Sequence, residues 1–149
     1  MTESNDLDSQ EIISSRIINA TREKVFRAFS DPDHLKNWWG PKGFKNTFSE
    51  FDLRPGGNWR FVMHGPDGTD YPNQSLFLEI VDAERIVFKH VSAPSFKMTI
   101  TFEDLQGKTK VTWQMLFETA AIRNNVAKYA KNANEENFDR LEAELAKMA

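Results

Sequence analysis

The chain contains no cysteine. Disulfides, thiolate nucleophiles and cysteine-based metal sites are therefore excluded. It has no excess of basic charge either: 19 Lys and Arg stand against 22 Asp and Glu, for a net charge of -3. No run of Lys or Arg breaks that balance, so a basic face able to neutralise phosphates is missing and no nucleic-acid partner is expected. No stretch approaches the ~18 consecutive apolar residues of a membrane-spanning helix, so no membrane insertion is expected. The opening MTESNDLDSQ is polar and acidic, unlike a signal or transit peptide. A cytoplasmic location is the expectation, with residues 1–10 as a flexible tail. Histidine is scarce too: His34, His64 and His90 lack metal-ligand spacing, and no His-Glu-x-x-His occurs. No metal and no other cofactor is expected. There is no Gly-x-Ser-x-Gly elbow, and Gly56-Gly57 does not open a helix, so neither a nucleophile elbow nor a phosphate loop is present. No catalytic residue is assigned.

Aromatic side chains, by contrast, are abundant: 12 Phe, 4 Trp and 2 Tyr in 149 residues. Each large ring buries roughly 150–250 Å². A few of them fill the core of one domain of this length, and others remain for the wall of a cavity. The β-branched stretch EIISSRII (11–18) reads as a first strand. Thr21 is a suitable N-cap for a short helix carrying Val25, Phe26, Ala28 and Phe29, and Pro32 suits the first position of a second helix. Gly40-Pro41-Lys42-Gly43 stops that second helix. Strands follow near 44–53, 58–64, 73–82, 85–90, 96–105 and 109–117, joined by short turns, which implies an antiparallel meander. Thr119 is suited to cap a last helix over about 120–148. There is no linker or internal repeat, so residues 11–149 read as one domain.

Alternation assigns the faces. Trp59, Phe61 and Met63 lie opposite Asn58, Arg60 and His64. Leu76, Leu78 and Ile80 are read as one apolar face, as are Ile86, Phe88 and His90. Phe96, Met98, Ile100 and Phe102 form another, and Val111, Trp113, Met115 and Phe117 the last. One face is apolar and one wet, as expected of an antiparallel sheet covered on one side by the last helix. That helix carries small residues, Ala127, Ala130 and Ala133, in its first half and Phe138, Leu141 and Leu145 in its second. Bulky sheet against small helix residues leaves room for a pocket at one end, and the larger helix residues plug the other. Trp38 and Trp39 are adjacent, and one of them is expected to be exposed. His34 and His64 are expected at the surface, and Asp52 and Arg54 are expected to pair across their hairpin with Arg60. The face of Glu50 and Asp52 is left open, and Asn137 falls on the apolar stripe of the helix.

Four stretches carry a resemblance: ATREKVFRAFSDPDHLKNWWGPKGF (20–44), DLRPGGNWRFVMHGPDG (52–68), FLEIVDAERIVF (77–88) and MTITFED (98–104). With the terminal helix they resemble the START-like or SRPBCC (Bet v 1-like) superfamily. Within it they are most similar to the single-domain bacterial relatives of the C-terminal domain of the Hsp90 ATPase activator Aha1. The resemblance implies an α+β helix-grip fold, in which a curved seven-stranded antiparallel sheet wraps around the long C-terminal helix, with two short helices after the first strand. It also implies a cavity between sheet and helix that takes an apolar or amphipathic small molecule. Where relatives commonly have glycine near the middle of the last helix, this chain has Ala130 and Ala133, which narrows the expected cavity. The N-terminal chaperone-binding half of the activator has no counterpart here, so contact with Hsp90 is not carried over.

The expected ligand-binding residues are Trp38, Trp59, Phe61, Met63, Tyr71, Phe88, His90, Met98, Trp113, Met115, Tyr129 and Ala133. The leading expectation is binding of an unknown small hydrophobic ligand. The alternatives are a cyclase- or hydrolase-like enzyme using the same cavity through an inward His or carboxylate, and an interaction module that is chaperone-related or a homodimer.

Overall fold

A computed structural model describes residues 10–148. β1 (Glu11–Ile18) leads into α1 (Arg22–Ser30) and α2 (Pro32–Trp38). Six strands follow: β2 (Lys45–Phe51), β3 (Asn58–His64), β4 (Asp70–Val81), β5 (Arg85–His90), β6 (Phe96–Asp104) and β7 (Thr109–Phe117). The last element is α3 (Ala120–Lys147). The flexible-tail expectation falls on residues outside those described, except for Gln10. The Gln10 side chain donates to Phe117 O at 3.2 Å and Glu118 O at 3.1 Å, and so is tied to the end of β7.

The helix ends follow from their capping residues. Thr21 Oγ1 accepts from Lys24 N, Asp31 Oδ1 from Asp33 N and Thr119 Oγ1 from Ile122 N. Each cap satisfies an amide that the first helical turn leaves unpaired. The strands form one antiparallel curved sheet in the order β1-β7-β6-β5-β4-β3-β2, a meander closed by pairing of the first strand with the last. This is the α+β helix-grip fold, with α3 lying across the concave face. Arg16 of β1 ties α3 down through Glu135 at 2.7 Å, Asp139 at 2.6 Å and Glu142 at 3.1 Å, with its guanidinium over the Phe138 ring. No helix among the described residues is long and apolar enough to cross a membrane.

Two β-bulges correct the alternation. In β4 the register shifts between Phe77 and Glu79, so Leu78 is the extra residue. Ser75 and Phe77 point inward, whereas Leu78 is 42% exposed; the expected face of Leu76, Leu78 and Ile80 holds only at Ile80, beyond the bulge. In β2 the shift lies between Phe48 and Glu50. It lets Phe48 and Phe51 both turn onto Trp59, with ring centroids 5.7 and 5.8 Å away. Glu50 consequently faces out, where Arg60 meets it at 3.5 Å. Arg54 pairs with Asp52 instead, at 2.9 Å, so the expected pairing to Arg60 is replaced by these two local ones.

Gly57 marks the closest backbone approach in this region. A Cβ there would stand 2.0 Å from Asp52 O, so no larger residue fits the β2–β3 turn.

Candidate functional site: a cavity between sheet and helix

The core divides along α3. Phe138 and Leu141 are fully buried and fill the end nearest α1 and β1. Toward the start of α3 the side chains shrink to Val126, Ala130 and Ala133, and the sheet does not close the gap. A cavity of about 650 Å³ remains. Its wall is largely aromatic: Trp39, Phe44, Trp59, Phe61, Tyr71, Phe88, Phe96, Trp113 and Tyr129, with Met63, Met98 and Met115 between them. Ala130 and Ala133 line it without closing it. Tyr71 and Tyr129 are exposed at its boundary, 45% and 60% respectively.

Every expected wall residue lines this cavity except Trp38. Trp38 is 1% exposed; its Nε1 donates to Ala28 O at 2.9 Å and its ring meets Phe29 edge-on at 4.7 Å. It is a core residue, and its neighbour lines the cavity. Trp39 is the C-cap of α2 with extended backbone, so its direction no longer follows the helical period. Its ring lies 5.1 Å from Trp59 and 5.2 Å from Trp113, bridging the two sides of the sheet. Neither tryptophan of the pair is the exposed aromatic that adjacency suggested.

Two polar side chains of α3 serve the wall. Asn137 Nδ2 donates to Trp38 O at 2.8 Å and Asn137 Oδ1 accepts from Gly40 N at 3.2 Å. Asn134 Nδ2 donates to Ser14 Oγ at 3.1 Å. Arg140 holds the segment after α2 without a carboxylate: its guanidinium donates to the carbonyls of Asn37, Trp39, Gly40, Pro41 and Phe44. Gly40 has φ +101°, a conformation that L side chains rarely adopt, so this tight turn beside Met63 favours glycine.

Of the three histidines, only His90 reaches the cavity. Burial pushes its imidazole below the ordinary value, while hydrogen bonds that the ring makes to the backbone of Pro94 and Ser92 pull the other way. His64 lies on the convex face, 2.7 Å from Asp70 Oδ1 and 2.8 Å from Thr47 Oγ1. His34, expected at the surface, has its Nδ1 2.8 Å from Glu144 Oε2, and that carboxylate is buried between α2 and α3. Among the described residues no cluster of His, Asp or Glu could hold a metal ion.

Sequence reading missed Asn73 and Ser75, because the β4 bulge inverts the parity that alternation assumes. It missed Phe44 because it lies in the turn before β2, and Asn134 because a polar residue breaks the helical stripe.

Residues 19–146 match the model of a family described as "Activator of Hsp90 ATPase homolog 1-like protein". The chain belongs to this family. Among solved structures, it is similar to a protein from Nitrosomonas europaea, with TM-score 0.86 and 23% identity, over 94% of this chain and 96% of that one. A solution structure from Arthrobacter aurescens matches with TM-score 0.87 and 22% identity, over 97% and 90%. A crystal structure from Chromobacterium violaceum matches with TM-score 0.78 and 26% identity, over 89% and 95%. At such identities the first two likenesses speak for the fold alone. A comparison with curated proteins finds no match. The family's START-like fold is compatible with ligand binding.

Proposed function

We propose that the protein binds a small apolar or amphipathic molecule in the cavity between the sheet and α3, acting as a single START-like domain. One observation carries this reading: about 650 Å³ of space, walled by rings and methionines, in a domain whose core beyond it is filled by Phe138 and Leu141. Small-molecule pockets have volumes of roughly 300–1,000 Å³ and are mostly apolar with a few placed polar groups. The wall fits that description, with His90, Asn73 and Ser75 as its polar groups on the sheet. A cyclase- or hydrolase-like reaction in this space would have to run on His90, since Asp70, Tyr71 and Tyr129 are all exposed. The family's description names a chaperone activator.

The test is native mass spectrometry of gently purified protein, with extraction of whatever is released, alongside titration with the fluorescent apolar probe phenylnaphthylamine. One saturable equivalent of probe is expected, displaced by any extracted molecule. Failure of the probe to saturate, together with a clean apo mass, would overturn the proposal.

A further inference from the structure

An inward row crosses the sheet through Trp59, Ser75, His90 and Phe96, each the ladder partner of the next. Two of these are polar, in a wall otherwise rich in rings and thioethers. His90 is held between two acceptors. Its Nδ1 lies 3.0 Å from the Pro94 carbonyl and its Nε2 lies 2.7 Å from Asn73 Oδ1. The Asn73 amide is oriented by its Nδ2, which donates to Tyr71 O at 2.8 Å. A neutral imidazole offers one donor and one lone pair, so only the imidazolium satisfies both contacts.

Burial opposes that cation, and the groups facing His90 do not offset it. From β4 come Asn73 and Ser75, from β6 the Phe96 ring stacked at 4.9 Å, and from the turn between β5 and β6 the Ser92–Pro94 segment. None of these is charged. Across the cavity α3 offers Val126, Ala130 and the exposed Tyr129. Lys89 and Lys97 are exposed on the other face, and the Asp70 carboxylate is engaged by His64. Ser75 adds an independent observation. It is fully buried in the same row, lines the cavity, and its hydroxyl has no partner. A buried donor without an acceptor is costly, as is a buried cation without a counter-ion. An anionic oxygen beside His90 supplies the missing counter-ion, and it satisfies the Ser75 hydroxyl once the side chains that cover Ser75 move aside.

We propose that the ligand is a ring-containing organic acid whose acidic oxygen docks beside Ser75 and His90 while its rings lie against Trp39 and Trp59, and that His90 takes up one proton from solvent as the acid binds. No other bond is made or broken. This rests on the binding function proposed above and specifies its ligand class.

Two probes share a ring skeleton and differ in charge: anilinonaphthalene sulfonate, an anion, and phenylnaphthylamine, which is neutral. The sulfonate is expected to bind more tightly as pH falls, by up to about tenfold per pH unit above the point where His90 of the empty protein titrates. Calorimetry in two buffers of different ionisation enthalpy should show uptake approaching one proton for the sulfonate and none for the amine. His90→Gln should abolish the pH slope and the proton uptake while amine binding persists. Ser75→Ala should weaken the sulfonate selectively. Equal, pH-flat binding of both probes would overturn the acid assignment and leave the cavity reading standing. So would a slope that survives His90→Gln. Should His90→Gln not fold, proton uptake by the unaltered protein and the Ser75→Ala comparison decide the matter. Saturable binding of neither probe, together with a clean apo mass, would remove the binding function itself.

Discussion

Asn137 bonds the backbone on both sides of Trp39, to Trp38 O at 2.8 Å and to Gly40 N at 3.2 Å. A single amide on α3 thus fixes the peptide units flanking the ring that bridges Trp59 and Trp113. The polar residue on the apolar stripe of the last helix thereby gives the cavity one of its walls.

Asn137→Ala leaves that buried carbonyl and amide without partners. At 1–3 kcal/mol for each orphaned group, a loss of about 3 kcal/mol is expected. Urea unfolding with an unchanged m-value is the measurement. Binding of phenylnaphthylamine should weaken with it, because Trp39 is no longer held; stability equal to that of the unaltered protein would show that the clamp is dispensable.

Ala133→Leu introduces a side chain into space that the cavity already provides. Stability should change by less than about 1 kcal/mol while probe binding is lost, since filling a void does not strain the surrounding packing. Leu141→Ala, at the packed end, is the contrasting change: Leu141 is fully buried, and its truncation should cost about 2–5 kcal/mol. Thermal unfolding of the two variants side by side checks the division of the core. Severe destabilisation by Ala133→Leu would place close-packed atoms where the cavity lies.

The bulge at Leu78 makes a paired prediction. Phe77→Ala should cost about 3–5 kcal/mol, as for other buried aromatics. Leu78→Ser should fall within about 0.5 kcal/mol, as for an exposed position. Chemical denaturation of both variants distinguishes this register from the unbulged one, in which the two effects would be reversed.

Arg140 spans five carbonyls of the 37–44 segment with one planar fork. Lysine has three donors on a flexible stem and cannot reproduce that geometry. In Arg140→Lys, amides between Gly40 and Phe44 should exchange hydrogen faster, with opening easier by about 1–2 kcal/mol, while the strands keep their protection. Unaltered exchange there would mean that Asn46, whose Nδ2 donates to Lys36 O at 3.0 Å and Trp39 O at 2.8 Å, suffices to hold the segment.

The element order and most boundaries were legible because their signals are local. Thr21, Asp31 and Thr119 cap from within three residues, and strict alternation over Phe96–Phe102 and Val111–Phe117 states which side faces in. Alternation fails where one residue is added. Leu78 reads as core for that reason, and Asn73 and Ser75 were hidden by the same inversion. The tryptophan pair failed differently. A helical projection separates Trp38 from Trp39 by about 100°, but α2 ends between them, and the extended backbone at Trp39 turns its ring inward.

The sequence by itself determined the sheet-and-helix architecture, because capping, turn chemistry and period-two patterning act over a few residues and agree with one another. It also determined that the first half of α3 is lined with small side chains. The tertiary structure decided whether those small residues face a void or a filled space, since a cavity is the mismatch between surfaces distant in the chain. It also decided that His90 stands between two acceptors beside the unpaired hydroxyl of Ser75. That arrangement depends on the bulge at Leu78, on the turn to Pro94 and on the pairing of β4 with β5, and none of these is encoded in the spacing of the residues it brings together.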